Sequence, residues 1–263
     1  MMRRTFANWG GRPWWFWRRL ADRRERRDDW SPLDLGSDLL AWWDASEGVS
    51  LSGSNVTAWA DRKNAYSAAQ GTAASQPTWA AADFNGKPSL TFDGTDDCLT
   101  LASQPFGSGA IDLEVWALVQ QDVPGATTDT RAFFGMGSGT SPFNRIRVFR
   151  VSSSSVSRLS ASTGNGTAAP NTTTFTSPFD GRCLVRYRAR PTTAYLSIDG
   201  ETEVSTSVVP NVGTTRVRIG ADAGDTAALF WKGKIAHVLL MKPTTPAYQK
   251  ARVQSLFLAS RNP

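Results

Sequence analysis

Short runs of alternating apolar and polar residues, punctuated by turn residues and almost free of helical periodicity, constrain this chain more than any other feature. Over residues 145–151, Ile146, Val148 and Val151 are set among Arg145, Arg147 and Arg150. Residues 183–190 place Leu184, Arg186 and Arg188 on one face and Val185 and Tyr187 on the other. A period of two is what a strand requires, because successive side chains point to opposite faces of a sheet. Residues 39–43, 89–92, 99–101, 113–119, 194–198, 216–220 and 234–240 read as further strands. Asp93-Gly94 marks a turn, and Asp199-Gly200 is the strongest hairpin signal, since both residue types accept positive φ. Roughly ten strands at such spacing predict an all-β, antiparallel sandwich of jelly-roll type. One exception closes the chain: over 246–260, Val253, Leu256 and Phe257 share the face of a short amphipathic helix. Residues 152–155 and 161–177 are rich in Ser, Thr, Asn and Gly and read as exposed loops or loop-edge strands.

The first thirty residues are built differently. They hold nine arginines against four acids, so they carry +5 of the whole chain's net +6, and five of its eleven tryptophans. Pro13 suits a first helical position, and Trp14, Phe16, Trp17 and Leu20 make an apolar band, which predicts a helical N-terminal extension. Ser31-Pro32 breaks it. The expected organisation is therefore an anchor segment over 1–32 and a β-sandwich over 33–263. Three partners fit a basic, tryptophan-rich segment: a membrane interface, nucleic-acid phosphate, or another protein. Tryptophan and arginine dominate protein interface hot spots. Trp9, Trp14, Trp15, Trp17, Arg18, Arg19 and Arg23 are therefore the expected anchor to a protein partner, and nucleic acid is the disfavoured one.

Several classes are excluded on simple grounds. No apolar run approaches the ~18–20 residues that span a bilayer. The patch at Trp14–Trp17 is too short for a secretory signal and is followed by more arginine, so synthesis in the cytoplasm without export is expected. Cys98 and Cys183 permit one bridge at most and have no metal-ligand spacing; they read as buried thiols.

Residues Leu40-Ala41-Trp42-Trp43-Asp44-Ala45, Val56-Thr57-Ala58-Trp59-Ala60-Asp61 and Gln76-Pro77-Thr78 resemble a laminin-G-like, concanavalin-A-like lectin domain common in bacterial and phage proteins. The run from Asn85 through Phe92-Asp93-Gly94 to Leu99 is similar to it too, as are Tyr195-Leu196-Ser197-Ile198-Asp199-Gly200 and Phe230 to Val238. The resemblance covers about 39–258 and implies fold more than function, because this fold hosts lectins, hydrolases and structural modules. It departs at His237, where the family often carries an acidic residue.

Chemistry is sparse on this reading. Hydrolases of this fold need two carboxylates flanking the scissile bond. Asp112 and Glu114 share a strand face, but Ala110 stands where such enzymes carry a further carboxylate, so the pair reads as outward-facing acids, and Glu201 and Glu203 as solvated. His237, the only histidine, reads as a packed residue. No Gly-x-Ser-x-Gly elbow occurs. The expectation is no enzyme and no required cofactor. Asp93, Asp96 and Asp97 are the candidate calcium ligands, since hard cations gather carboxylate oxygens, although Asp93 and Asp97 can also cap a tight turn. The six tryptophans of the body read mostly as core, leaving glycan-contacting residues unassigned.

Together these features, with the resemblance, predict a virion component of a phage: a head or tail spike, fibre or decoration protein. It would be held to other virion structural proteins by residues 1–30 and would present its sandwich to cell-surface glycans for host attachment. A homo-oligomer is left open. The alternatives are a ligand-free cement protein and a glycan-active enzyme module. Deleting residues 1–30 is expected to leave a folded β domain, because no expected core residue lies there. Circular dichroism and a thermal melt check this: a cooperative transition near that of the full chain is expected, and a chain without one contradicts it.

Overall fold

The computed structural model describes residues 30–63, 65–101, 109–122, 130–137, 145–153, 156–163, 171–174, 181–212, 216–224 and 226–261. The expected anchor, Trp9 to Arg23, and its helix lie outside them. In chain order the strands are β1 (Leu39–Asp44), β2 (Val49–Ser52), β3 (Asn55–Ala60), β4 (Ser67–Ala69), β5 (Thr78–Phe84), β6 (Lys87–Asp93), β7 (Leu99–Leu101), β8 (Gly109–Ala110), β9 (Leu113–Gln121) and β10 (Thr130–Gly137). They continue with β11 (Arg145–Ser153), β12 (Val156–Thr163), β13 (Asn171–Thr174), β14 (Arg182–Arg190), β15 (Thr193–Ile198), β16 (Val204–Ser207), β17 (Asn211–Val212), β18 (Val217–Ile219) and β19 (Lys232–Met241). Among the described residues one α-helix, α1 (Ala247–Arg261), follows β19. The architecture is an all-β antiparallel sandwich with a short C-terminal helix, as the alternation predicts.

β19 organises the first sheet. It pairs with β9 along one edge, and on the other with β6 at its start and β1 at its end. β14, β15 and β16 extend the sheet beyond β9. The second sheet runs β2–β3–β4–β7–β18–β10–β11–β12–β13. β5 links the two, pairing with β6 and touching β3 where Asn55 faces Thr78. β8 and β17 form a separate two-stranded ribbon. The Asp93-Gly94 turn therefore joins strands of different sheets and is not a hairpin.

The core lies between the sheets. Val115, Ala117, Val119, Val185 and Tyr187 from one side meet Phe134, Met136, Val148, Val217 and Ile219 from the other. Tyr187 shares a 2.9 Å hydrogen bond with the Thr163 hydroxyl across the layers. Trp43, Trp59, Trp116 and Trp231 are fully buried, Trp42 nearly so, and half-buried Trp79 donates its indole N–H to the Ala45 carbonyl at 2.8 Å. Cys98 and Cys183 are buried and unbridged.

β9 reads as a continuous apolar run because it is covered on both faces: its first seven residues are all buried. One face looks into the sandwich, and α1 lies over the other side of this sheet. Phe257 stacks on the His237 ring of β19 at 4.8 Å between centroids and 8° between planes. Arg261 reaches the Asp199 carboxylate at 3.1 Å and the Arg182 carbonyl at 3.1 Å. Val253 and Phe257 are the buried residues of the helix, as its spacing predicts.

At the centre of the core, Phe92 packs directly against Gly220, whose φ of +87° and lack of a side chain let the ring sit where a Cβ would overlap it. Phe92→Ala is expected to cost about 3–5 kcal/mol, the range for removing a buried aromatic ring. Urea unfolding of the variant beside wild type measures it, and a loss under 1 kcal/mol would show that Phe92 does not anchor the core.

Candidate functional site

The outer face of the first sheet carries charge where α1 leaves it uncovered. Register sets the pattern: Trp116 of β9 lies opposite Arg186 of β14, which lies opposite Ser197 of β15. One step along, Glu114 faces Arg188, which faces Tyr195. The alternation seen in 183–190 thus puts two arginines in a row on this face, each over an aromatic ring. The Arg186 guanidinium lies 4.9 Å from the Trp116 ring centre and that of Arg188 lies 4.1 Å from Tyr195.

Glu114 binds this face together. Its side chain is fully buried, and the ionised form there costs several kcal/mol unless it is paired. Arg186 supplies Nε at 3.1 Å and Nη2 at 3.0 Å to Glu114 Oε2, and the Trp116 indole N–H donates to the same oxygen at 3.3 Å. Lys250 of α1 takes Oε1 at 2.5 Å while also donating to the Pro243 carbonyl at 2.6 Å. Glu114 faces outward from the sandwich as expected, but it is not a bystander acid: the helix covers it, and its carboxylate is buried and paired. Asp112 does stay exposed, 3.5 Å from Arg190.

Glu203 is the second corrected acid. It is not free in solvent but lies 3.4 Å from Arg186 and 2.5 Å from Arg188. One guanidinium thus holds two carboxylates, one from β9 and one from the segment before β16. Alternation along a single strand could not show this pairing, because it joins Glu114 and Glu203, which are 89 positions apart in sequence.

Beside this pair opens a cavity of about 60 Å³. Trp116, Leu184, Arg186, Ser197, Glu203 and Gln254 are among the residues that line it, with Glu201 beside them. Its geometry depends on the Asp199-Gly200 turn, whose two residues have φ of 53° and 82° and which the Glu201 N–H closes on the Ile198 carbonyl at 2.8 Å. The predicted turn is present. Glycine is favoured at 200 by its φ of 82°, which strains any residue with a side chain, and the movable amide end of Gln254 of α1 lies beside it. The cavity is thus walled jointly by a hairpin and by the helix.

The candidate calcium ligands sit elsewhere, between β6 and β7. Carboxylate oxygens of Asp93, Asp96 and Asp97 lie within 4.8 Å of one another. Their partners are backbone and hydroxyl donors: Thr95 N–H to Asp93 at 2.7 Å, Asp93 N–H to Asp97 at 2.9 Å, and the Ser75 hydroxyl to Asp96 at 2.9 Å. These bonds explain the cluster as a turn device, while three oxygens supply half of the six to eight that calcium takes. Burial pushes the Asp97 carboxyl up from 3.8 to about 6; the Asp93 N–H opposes this, and the charges of Asp93 and Asp96 add to it. His237 packs between Phe257 and Trp42, 3.5 Å from Asp44, and burial lowers its pKa against the pull of that carboxylate.

No protein-family model and no curated protein sequence matches the chain. Solved structures do match. The enzymatically active domain of tailspike protein 2 from bacteriophage CBA120 aligns with a TM-score of 0.51 at 14% identity, covering 69% of this chain and 29% of that one. Domain 4 of AbnA, a GH43 extracellular arabinanase from Geobacillus stearothermophilus in complex with arabinotriose, aligns with a TM-score of 0.54 at 13% identity, covering 86% and 98%. An arabinofuranosidase complexed with arabinofuranosyl-α-1,2-xylobiose aligns with a TM-score of 0.57 at 9% identity, covering 79% and 51%. This chain therefore spans under a third of the tailspike domain it matches. At such identities the likeness is one of fold.

One expectation falls with these findings. The sequence argued against an enzyme, yet the fold is shared with a tailspike domain described as enzymatically active and with an arabinofuranosidase. That argument rested on Ala110, on Asp112 and Glu114 as outward-facing acids, on a packed His237 and on the lack of a Gly-x-Ser-x-Gly elbow, and it took no account of Glu203, which shares Arg186 with Glu114. Among the described residues no helix is long and apolar enough to cross a membrane.

Two predictions follow from the geometry. Glu114→Gln leaves Arg186 and Lys250 without their shared carboxylate, and because both cations keep some contact with water it is expected to cost about 2–3 kcal/mol. Chemical unfolding at neutral pH checks it, and an unchanged midpoint would contradict the assignment. Asp97 binds its proton more tightly folded than unfolded, so its favourable contribution is complete below pH 3.8 and is lost as pH rises through about 6. Asp97→Asn is therefore expected to raise the melting temperature at pH 7.5 and to lose that advantage by pH 3.5; equal shifts at both would refute it.

Proposed function

We propose that this chain is a glycan-engaging β-sandwich module of a phage-derived particle, of the kind carried by glycan-active proteins, with its sugar site in the cavity beside Arg186. The observation that carries the reading is the cavity itself. It is polar, fixed on a rigid sheet, and lined by donors and acceptors from Arg186, Ser197, Glu201, Glu203 and Gln254. Sugars are recognised by such convergent polar groups on a preformed surface. The shared fold supports it further, since neighbours include a phage tailspike domain and an arabinanase domain in complex with arabinotriose. The laminin-G-like resemblance belongs to the same reading. Residues 1–30 would join the module to other virion structural proteins through Trp14, Trp17 and their arginine neighbours.

A second reading is favoured by the two carboxylates on Arg186. Glycoside hydrolysis uses a pair of acids, and Glu114 with Glu203 is the pair the fold supplies. Here the buried Glu114 needs Lys250 or Arg186 to move before a sugar could reach it, so on this reading binding precedes that movement.

A glycan array probed with the full chain, followed by incubation of every bound glycan and analysis of the products, tests both. Binding that Arg186→Ala abolishes is expected. Binding with product release that Glu203→Gln stops would establish the hydrolase instead, and no binding to any glycan would leave only the structural-cement alternative.

A further inference from the structure

The cavity's charge decides which class of sugar it takes. Resting on the glycan-binding reading above, we infer that the site selects uncharged, hydroxyl-rich sugars and rejects those bearing a carboxylate. Its lining holds one cation, Arg186, and two acids, Glu201 and Glu203. The cation is already shared by two carboxylates: Glu114 takes Nε and Nη2, and Glu203 lies 3.4 Å from Nη1. Glu114 is fully buried, so no movement of solvent relieves Arg186 of that partner. Arg188, the next cation along the face, lies 2.5 Å from Glu203. Glu201 is exposed and has no cationic partner among the described residues.

With Lys250 also on Glu114, three cations meet three acids, and the acid without an ion pair, Glu201, lines the cavity, so an incoming carboxylate would meet that acid and no unpaired cation. Like charges at such separations cost about a factor of ten or more in affinity near a protein surface. An uncharged diol meets the reverse. Each carboxylate oxygen accepts more than one hydrogen bond, so Glu203 can take sugar hydroxyls while keeping its arginines, and Glu201 is free to take others. Ser197 and Gln254 add neutral donors and acceptors to the lining. The size agrees: about 60 Å³ is well below the ~300 Å³ or more of pockets that enclose a whole small ligand, so the cavity takes the hydroxyl-bearing edge of one ring. Contact of that extent binds weakly alone and gains from repetition on a particle.

The test compares matched sugars. Full-length chain is titrated by NMR with the neutral oligosaccharide that binds most strongly on a glycan array, and with its counterpart oxidised to the uronic acid at C6. The expected result is at least tenfold weaker binding of the uronate. Glu201→Gln is expected to narrow that gap several-fold, and being exposed and without an ion pair it leaves folding intact. Glu201→Gln with Glu203→Gln should narrow the gap further and weaken the neutral sugar. Preference for the uronate in wild type would overturn the inference while leaving the glycan-binding reading standing. A gap unchanged in both variants would overturn the assignment of selectivity to these two acids. No binding to any sugar would overturn the inference and the reading together.

Discussion

The buried carboxylate of Glu114 is the constraint around which this surface is arranged. A charge removed from water must be met by opposite charge and by hydrogen bonds, or its burial unfolds more than it stabilises. Here three donors meet it: Arg186 from the neighbouring strand, the Trp116 indole from its own, and Lys250 from the C-terminal helix. The last is the consequential one. Val253 and Phe257 give α1 an apolar footing, but apolar contact is non-directional. The ion pair at one end of the helix and the Arg261–Asp199 pair at the other fix its position along the sheet. With the helix fixed, Gln254 becomes a wall of the cavity, and with Arg186 committed to Glu114 the mouth is left acidic. Packing, electrostatics and the proposed sugar selectivity are thus one arrangement.

What the sequence makes legible is whatever depends on local pattern. The alternation in 183–190 corresponds to β14, the apolar run 113–119 to β9, the helix spacing of Val253 and Phe257 to α1, and Asp199-Gly200 to a turn with both φ values positive. Strands without apolar alternation escape that reading. β12 and β13, within residues rich in Ser and Thr, are held by their ladder to β11 and to each other, which is a tertiary effect. The Asn85-Gly86 hairpin between β5 and β6, with φ values of 54° and 72°, carried a sufficient local signal and needed only to be read as one.

The site was hidden for a different reason. Glu114, Arg186, Glu203 and Lys250 come from four separate segments, and no spacing rule connects them. A rule that looks for paired acids on one strand finds Asp112 and Glu114, of which one is exposed and the other buried. Cross-strand register brings the real partners together: once Trp116 is known to face Arg186, the neighbouring positions follow. The aspartates at 93, 96 and 97 show the converse. They are adjacent in sequence and visible at once, and their contacts are those of a turn. The fold shared with tailspike and arabinan-active proteins adds the frame but not the residues, since the identity is 9–14%.

Amide hydrogen exchange across α1 tests the central claim most directly, because protection reports local opening segment by segment. In Lys250→Met the helix keeps its apolar footing and loses only its hold on Glu114. Exchange over 247–261 is expected to accelerate several-fold while β9 and β14 keep wild-type protection in their core-facing registers. Unchanged protection of the helix in that variant would show that apolar packing alone seats it, and that the buried ion pair does not build the site.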